Sequence, residues 1–183
     1  MPESPAPRRY DPGRREHIIA ACLDVIAASG VAGTSHRKVA AAADVPLGSM
    51  TYHFTGMDEL LREAFERFAR EGSDRFEACL AGAGTREEAK AAVAAMICGA
   101  ESDDRRNLVL AHELYTLAAR EPAFRAITNA WMARSRAVLE RHFDPLTARL
   151  LDALVEGMSI HRTLDTERQD AAIVTEAVER ITG

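Results

Sequence analysis

Long hydrophobic runs, cysteines and aromatic residues are all scarce in this sequence. No apolar stretch approaches the roughly 20 residues that a membrane-spanning helix requires. Aromatic residues make up only 5% of the chain, and the opening segment lacks the apolar centre of a secretory signal. These absences predict a soluble, cytoplasmic protein with no membrane partner.

The three cysteines, Cys22, Cys79 and Cys98, are widely spaced and form no Cys-x-x-Cys pair. An odd number at such spacing argues against a disulfide framework and against a four-cysteine zinc site. Each lies within an apolar helical pattern, where a free cysteine usually acts as a small core residue. We therefore expect all three thiols to be buried.

The net charge of −5 conceals a mild asymmetry along the chain. Residues 1–55 contain six Lys or Arg against five acidic residues, so the acidic excess lies in the remainder. This distribution permits nucleic-acid binding by the first third of the chain but does not by itself indicate it.

Apolar residues recur at three- and four-residue spacing, and no segment alternates for long enough to predict a strand. The pattern therefore predicts an all-α protein with nine or ten helices. One pattern, from Asp58 to about Leu80, predicts a helix more than about 30 Å long, which could link two modules. Helix starts are marked by capping residues. These are Asp11-Pro12, Thr34 or Ser35, the Thr85–Glu88 capping box, and Asp144-Pro145.

Two short predicted helices, separated by a tight turn and preceded by a longer helix, have the layout of a helix-turn-helix unit. The turn requires a residue that tolerates a left-handed conformation, and Asp44 is of that kind. Apolar residues are available to hold the second short helix against the first: Val39, Ala43, Val45, Met50 and Phe54. The outer face of the second helix is small and polar.

Three segments closely resemble the TetR/AcrR family of bacterial transcriptional regulators: 34–40, 44–54 and 58–61. The resemblance covers about residues 13–62. It implies an N-terminal three-helix DNA-binding domain, joined by a long helix to a C-terminal helical domain for ligand binding and dimerisation. It also implies a homodimeric repressor that binds palindromic double-stranded operator DNA and is released by a small-molecule effector.

The resemblance assigns candidate DNA contacts to individual positions. Ser35 and Arg37 fall where the family contacts the DNA backbone, and Gly48 and Ser49 fall where the recognition helix approaches the major groove. A further stretch divides its contacts between phosphates, which position the protein, and base edges, which specify the sequence. That stretch contains Thr51, Tyr52 and His53.

The sequence departs from the family pattern at three positions. Thr51 replaces a tyrosine, Met57 replaces a phosphate-binding lysine, and Asp44 replaces the turn glycine. Each lost phosphate contact should reduce the salt dependence of binding by about one unit of slope. Basic residues near the N-terminus could compensate: Arg8, Arg9, Arg14 and Arg15.

We expect three segments: a disordered basic arm over 1–10, the helix-turn-helix domain over 11–56, and the effector-binding and dimerisation domain over 57–183. The helix from Leu146 to about His161 is apolar around much of its circumference, which is typical of a helix buried on two sides. The resemblance implies that the final helices form an intermolecular four-helix bundle that would bury the second side, and the alternative is a thicker core within one protomer. The predicted dimer interface consists of Leu150, Leu151, Leu154, Val155 and Met158.

The effector pocket is expected among the helices that follow the long linking helix. Its candidate residues are large or have polar tips, and core packing is as good an explanation for each. They are Phe68, Met96, His112, Tyr115 and Trp131.

Two alternatives remain open. The first is a helical-bundle enzyme or metal protein, suggested by acidic residues near His112, His142 and His161. However, the sequence has neither the Glu-x-x-His pairs of di-metal bundles nor a His-Glu-x-x-His motif. We therefore expect no enzymatic activity, no metal and no cofactor. The second alternative is a DNA-binding regulator controlled by a partner protein, which would have a solid core instead of an enclosed cavity.

Overall fold

The computed structural model describes residues 13–99, 104–167 and 169–183, and these residues form nine α-helices and no strand. The helices are α1 Arg14–Ser29, α2 His36–Ala42, α3 Leu47–His53, α4 Met57–Leu80, α5 Arg86–Cys98, α6 Asp104–Arg120, α7 Pro122–Leu139, α8 Pro145–Leu164 and α9 Ala171–Thr182. The predicted all-α fold is confirmed. The proposed arm and the Asp11-Pro12 cap lie outside the described residues.

Several predicted helix starts are confirmed by side-chain hydrogen bonds. Ser35 Oγ accepts from the Lys38 amide at the start of α2, and Asp144 accepts from two amides at the start of α8. Thr85 and Glu88 form the reciprocal capping box of α5. The last helix is capped by Asp170 and begins at Ala171.

The chain divides into two compact units, with the boundary inside α4 between Ala64 and Phe65. The core of the first unit combines one face of α1 with residues of α2, α3 and the start of α4. Its fully buried side chains include Ile18, Ile26, Val39, Met50 and Leu60. Arg15 ties α1 to α4 by ion pairs with Glu59 and Glu63. The Arg15 guanidinium also lies 4.8 Å from the centroid of the Phe54 ring.

The second unit packs α5 against α8 and α9, and α7 against α6 and α8. Its largest cluster of buried residues is Leu80, Ala89, Val93, Ile97, Val138, Leu139, Phe143, Ala148, Leu151, Val174 and Val178. Ion pairs join α4 to α7 and to the turn that follows it: Arg134 Nη2 of α7 lies 2.5 Å from Asp74 Oδ1, and Arg141 Nη2 of the turn lies 2.6 Å from Glu77 Oε1. The side chains of both ion pairs are partly exposed, so the pairs contribute little to the free energy of unfolding. The apolar cluster contributes most of the stability of this unit.

Two of the three cysteine predictions were wrong. Cys22 is buried, but Cys79 and Cys98 are exposed. Both exposed thiols lie in the last turn of their helix, where apolar spacing no longer guarantees that another element covers the side chain.

Asp44 provides a test of the turn between α2 and α3. Its φ of 48° places it in the left-handed region, where Asp is tolerated and other L-residues are strained by about 1–2 kcal/mol. We expect Asp44→Gly to be more stable than Asp44→Ala by about 1 kcal/mol, measured by urea denaturation. Equal stability of the two variants would show that this turn is not under conformational strain.

Candidate DNA-binding surface and ligand cavity

The α2–turn–α3 segment forms the helix-turn-helix unit. The Val45 amide donates to the Ala40 carbonyl at 3.0 Å, which closes the turn around Asp44. Met50 and Phe54 are buried, and they fix α3 from its inner face. The remaining face of α3 is therefore presented to solvent in a defined rotation about the helix axis.

The predicted DNA contacts fall on the outer parts of α2 and α3. Ser35, Arg37, Gly48, Thr51 and Tyr52 are exposed, whereas Ser49 and His53 are half-buried. Tyr52 is the most exposed of the large hydrophobic side chains in the described residues at 78%, with its ring edge against His53. The ring is therefore accessible to a partner outside the protein.

Gly48 is not required by packing within the protein. A Cβ atom added at this position would meet nothing within 4 Å. The backbone at the start of α3 is thus open to close approach from outside. Thr51 Oγ1 donates to the Gly48 carbonyl at 3.2 Å, which leaves the hydroxyl oxygen free to accept.

Basic side chains near this surface have different roles. Arg37 is exposed, and Lys38 Nζ donates to the Gly33 carbonyl at 2.7 Å. Arg15, expected to act with the basic arm, instead turns inward to Glu59, Glu63 and the Phe54 ring. These carboxylates offset its positive charge, so the structure does not support the compensating DNA contact predicted for Arg15, which stays a prediction.

A cavity of about 250 Å³ lies within the second unit, among α4, α5, α6, α7 and α8. All five residues predicted for the effector pocket line it: Phe68, Met96, His112, Tyr115 and Trp131. The cavity wall is largely apolar, with a small number of polar groups, which is the usual make-up of a small-molecule site.

Aromatic rings form one wall of the cavity. The Phe68 and Trp131 ring centroids are 5.3 Å apart in an edge-to-face arrangement, and Tyr115 lies nearly parallel to Trp131 at 6.4 Å. Gly72 allows the indole to lie close to α4, since a Cβ atom there would sit 3.1 Å from Trp131 Cζ2. The glycine therefore shapes this wall.

The polar lining of the cavity includes two carboxylates of α8, Asp152 and Glu156. Burial raises the pKa of Asp152 to about 6, with the neighbouring Glu156 charge adding to the effect. Burial also raises the pKa of Tyr115, and so does its hydrogen bond to Glu156. Tyr115 therefore remains protonated at neutral pH and donates to the Glu156 carboxylate.

Sequence reasoning missed Gly72, Asp152 and Glu156. The i, i+4 spacing of the two carboxylates was available as a signal, because such residues share one face of a helix. The apolar pattern of α8 predicted an interface instead, and Glu156 was considered only together with His161 for a metal or catalytic site.

The predicted dimer residues of α8 do not share one surface. Leu151 is fully buried in the core, which contradicts its assignment to an interface, and Val155 lines the cavity. Leu154 and Met158 are partly buried against the core, and Leu150 is 46% exposed. The helix is apolar on several sides because one side packs in the core and another lines the cavity, within a single protomer.

Comparisons with known proteins identify the family. The profile described as bacterial regulatory proteins of the tetR family matches residues 18–64, and that of the tetracyclin repressor-like C-terminal domain matches residues 84–183. The chain belongs to the TetR family. It is therefore a DNA-binding transcriptional regulator, and regulators of this family are generally non-enzymatic.

Solved structures agree with this assignment. SCO7518 of Streptomyces coelicolor A3(2), described as a transcriptional regulator, is 55% identical over 93% of this chain and 99% of its own, with a TM-score of 0.87. The multidrug binding protein EbrR, complexed with ethidium, is 38% identical over 94% of this chain and 99% of its own, with a TM-score of 0.78. SCO1917, a TetR-family member from Streptomyces coelicolor A3, is 37% identical over 94% and 99%, with a TM-score of 0.76. The comparison with curated proteins gives no match.

Two further observations concern metal sites and membrane-spanning helices. Within 13–99, 104–167 and 169–183, no three His, Cys, Asp or Glu side chains are grouped so that they could hold a metal ion. No helix among the same residues is both long and apolar enough to cross a membrane.

Asp152→Asn tests the electrostatics of the cavity. The raised pKa means that the wild-type protein loses stability as the carboxylate ionises between about pH 4 and 6. Because Asp152 is partly solvated, we expect the variant to be more stable by roughly 1 kcal/mol at pH 7.5, with the advantage shrinking towards pH 4.5. Urea denaturation at both pH values measures the difference. A difference that does not change with pH would contradict the environment described for this carboxylate.

Proposed function

We propose that this TetR-family regulator is a homodimeric repressor that binds a palindromic operator and is released by a small-molecule effector. The observation that carries the proposal is the cavity, which is lined in part by α4, the helix that begins just after the recognition helix. The α4 residues that line the cavity belong to the second unit, and the same helix begins in the first unit.

The proposed DNA surface comprises the positions assigned by family resemblance: Ser35, Arg37, Gly48, Ser49, Thr51, Tyr52 and His53. Their exposure on α2 and α3 and the open space at Gly48 support this assignment. The segment 11–56 is the proposed DNA-binding domain, and 57–183 is the proposed domain for effector binding and dimerisation.

The proposed dimer uses the outer surface of α8 together with α9. Large apolar side chains exposed on or just beyond these helices support it: Leu146, Leu150, Leu164 and Ile173. A two-fold dimer would place its two α3 helices in major grooves about 10 base pairs apart or a multiple of that distance.

Release would proceed through α4. Phe68 and Gly72 belong to this helix and line the cavity, whereas Leu60 of the same helix is buried in the core of the first unit. We expect a bound ligand to displace the aromatic wall and with it α4. The two recognition helices would then lose the spacing of their half-sites, in a rigid-body switch.

A relative supports control by a small ligand. EbrR is described as a multidrug binding protein and has been crystallised with ethidium, malachite green and proflavin. The cavity of the present chain also favours a ligand over the alternative of control by a partner protein, which would leave a solid core.

Selection of bound fragments from sheared genomic DNA, at a stated salt concentration, tests the proposal. Recovery of a shared inverted repeat is the expected result. Recovery of nothing above background, with and without effector, would indicate that Thr51, Met57 and Asp44 mark a lost DNA function.

Tyr52→Ala tests the recognition helix. The exposed ring contributes little to folding, so we expect the variant to remain folded and dimeric while operator affinity falls by more than tenfold. Fluorescence anisotropy with operator DNA measures the loss. Tyr52→Phe is the matched control, because it retains the ring and separates stacking from hydrogen bonding by the hydroxyl. Unchanged affinity in the alanine variant would remove Tyr52 from the contact surface.

Leu150→Glu tests the interface. Leu154, the first choice from sequence, packs partly against the protomer core, so a charge there could unfold the protein. Leu150 is 46% exposed, and a carboxylate at this position should weaken the dimer with little effect on the protomer. Sedimentation should show monomers with weakened operator binding, whereas Thr116→Glu, which adds the same charge at an exposed position of α6 outside the proposed interface, should leave the dimer intact. A stable Leu150→Glu dimer would exclude this surface.

A further inference from the structure

We propose that the cavity binds a flat aromatic cation, with its positive charge beside Asp152 and Glu156 and its ring against Trp131. This inference rests on the proposed function only in taking the bound molecule to be the effector. Binding itself is a separate property of the second unit and can be measured without DNA.

The aromatic wall is suited to a planar ring system. Trp131 meets Phe68 edge to face, with an interplanar angle of 81°, and lies within 22° of parallel to Tyr115. Ring faces attract both other aromatic rings and cations. Gly72 opens the space in which the indole lies, so a larger residue would disturb this wall.

Two carboxylates of α8 favour a positively charged ligand. Asp152 and Glu156 are one helical turn apart and both line the cavity. Glu156 already accepts the Tyr115 hydroxyl, but burial leaves the Asp152 carboxylate poorly solvated. A cation next to this carboxylate would replace the missing solvation, whereas an anion would be repelled.

The positive groups of the cavity do not cancel this preference. Arg162 donates from Nη1 to the carbonyls of Ile97 and Met96 at the end of α5, where a helix terminus carries partial negative charge. Arg75 lines the cavity but is exposed, so water screens its charge. His112 is exposed as well, and its Nδ1 lies 2.8 Å from the Leu108 carbonyl.

Two more arginines act on Asp152 from outside the cavity lining. Arg136 and Arg149 both lower its pKa by charge attraction, but burial is the larger effect and the net direction is upward. The carboxylate therefore remains short of compensating charge. A cavity of about 250 Å³ is at the small end for ligand sites, which suits a compound of two or three fused rings.

Three acridines of similar size test the proposal by isothermal titration calorimetry on the full chain at pH 7.5. They are 9-aminoacridine, which is a cation, acridine, which is neutral, and acridine-9-carboxylate, which is an anion. We expect 9-aminoacridine to bind at least tenfold more tightly than acridine, and the carboxylate to bind most weakly. Equal affinities, or no measurable binding of any of the three, would overturn the proposal.

Variants assign the effect to the carboxylates. Asp152→Asn should weaken 9-aminoacridine binding by at least tenfold while leaving acridine binding within about twofold, and Glu156→Gln should act in the same direction. Arg75→Gln is the matched control, since it removes a charge of opposite sign from the cavity, and it should leave cation affinity unchanged or raised. Weaker cation binding in the control, or none of these losses in the carboxylate variants, would contradict the assignment.

Failure of this inference can be distinguished from failure of the repressor proposal. If fragment selection recovers an inverted repeat and the acridines show no preference for positive charge, this inference fails and the repressor proposal stands. If the cation binds through Asp152 but no operator is recovered, the cavity assignment stands and the repressor proposal fails.

Discussion

The structure depends on the continuity of α4. A single hydrogen-bonded helix from Met57 to Leu80 must supply buried side chains to two separate cores, with Leu60 in one and Phe65 in the other. Each half of the helix is therefore held by a different core. The Arg15 ion pairs fix its first turns, and the ion pairs of Asp74 and Glu77 with α7 fix its last ones. One uninterrupted helix thus contributes to the core of each unit.

The cavity contains the features that are least favourable for stability alone. A buried carboxylate, an aromatic wall with open space beside it, and a glycine within a long helix each cost free energy in a folded protein. Asp152, Trp131 and Gly72 are brought together at one place, in a unit whose remaining core is well packed. Such a concentration of unfavourable groups is typical of a binding site, where a ligand supplies the missing contacts.

Local features of the fold could be predicted from sequence because they depend on neighbouring residues. The Thr85–Glu88 capping box, the Asp144 cap and the left-handed Asp44 each follow from interactions within a few positions. Helical spacing also identified the buried face of α3, at Met50 and Phe54. It failed at Cys79 and Cys98, because spacing shows which residues share a face but not whether another element covers the end of a helix.

The sequence by itself determined the helical fold, the helix-turn-helix unit and the family, since periodicity, caps and a contiguous motif are all local along the chain. Tertiary structure decided what each face of α8 contacts. Leu151 lies in the core, Val155 and Asp152 line the cavity, and Leu150 is exposed, although all four lie within six consecutive residues of one helix. It also turned Arg15 towards Glu59 and Glu63, far along the chain. These outcomes depend on which surfaces meet after folding, and spacing within a helix carries no information about its neighbours.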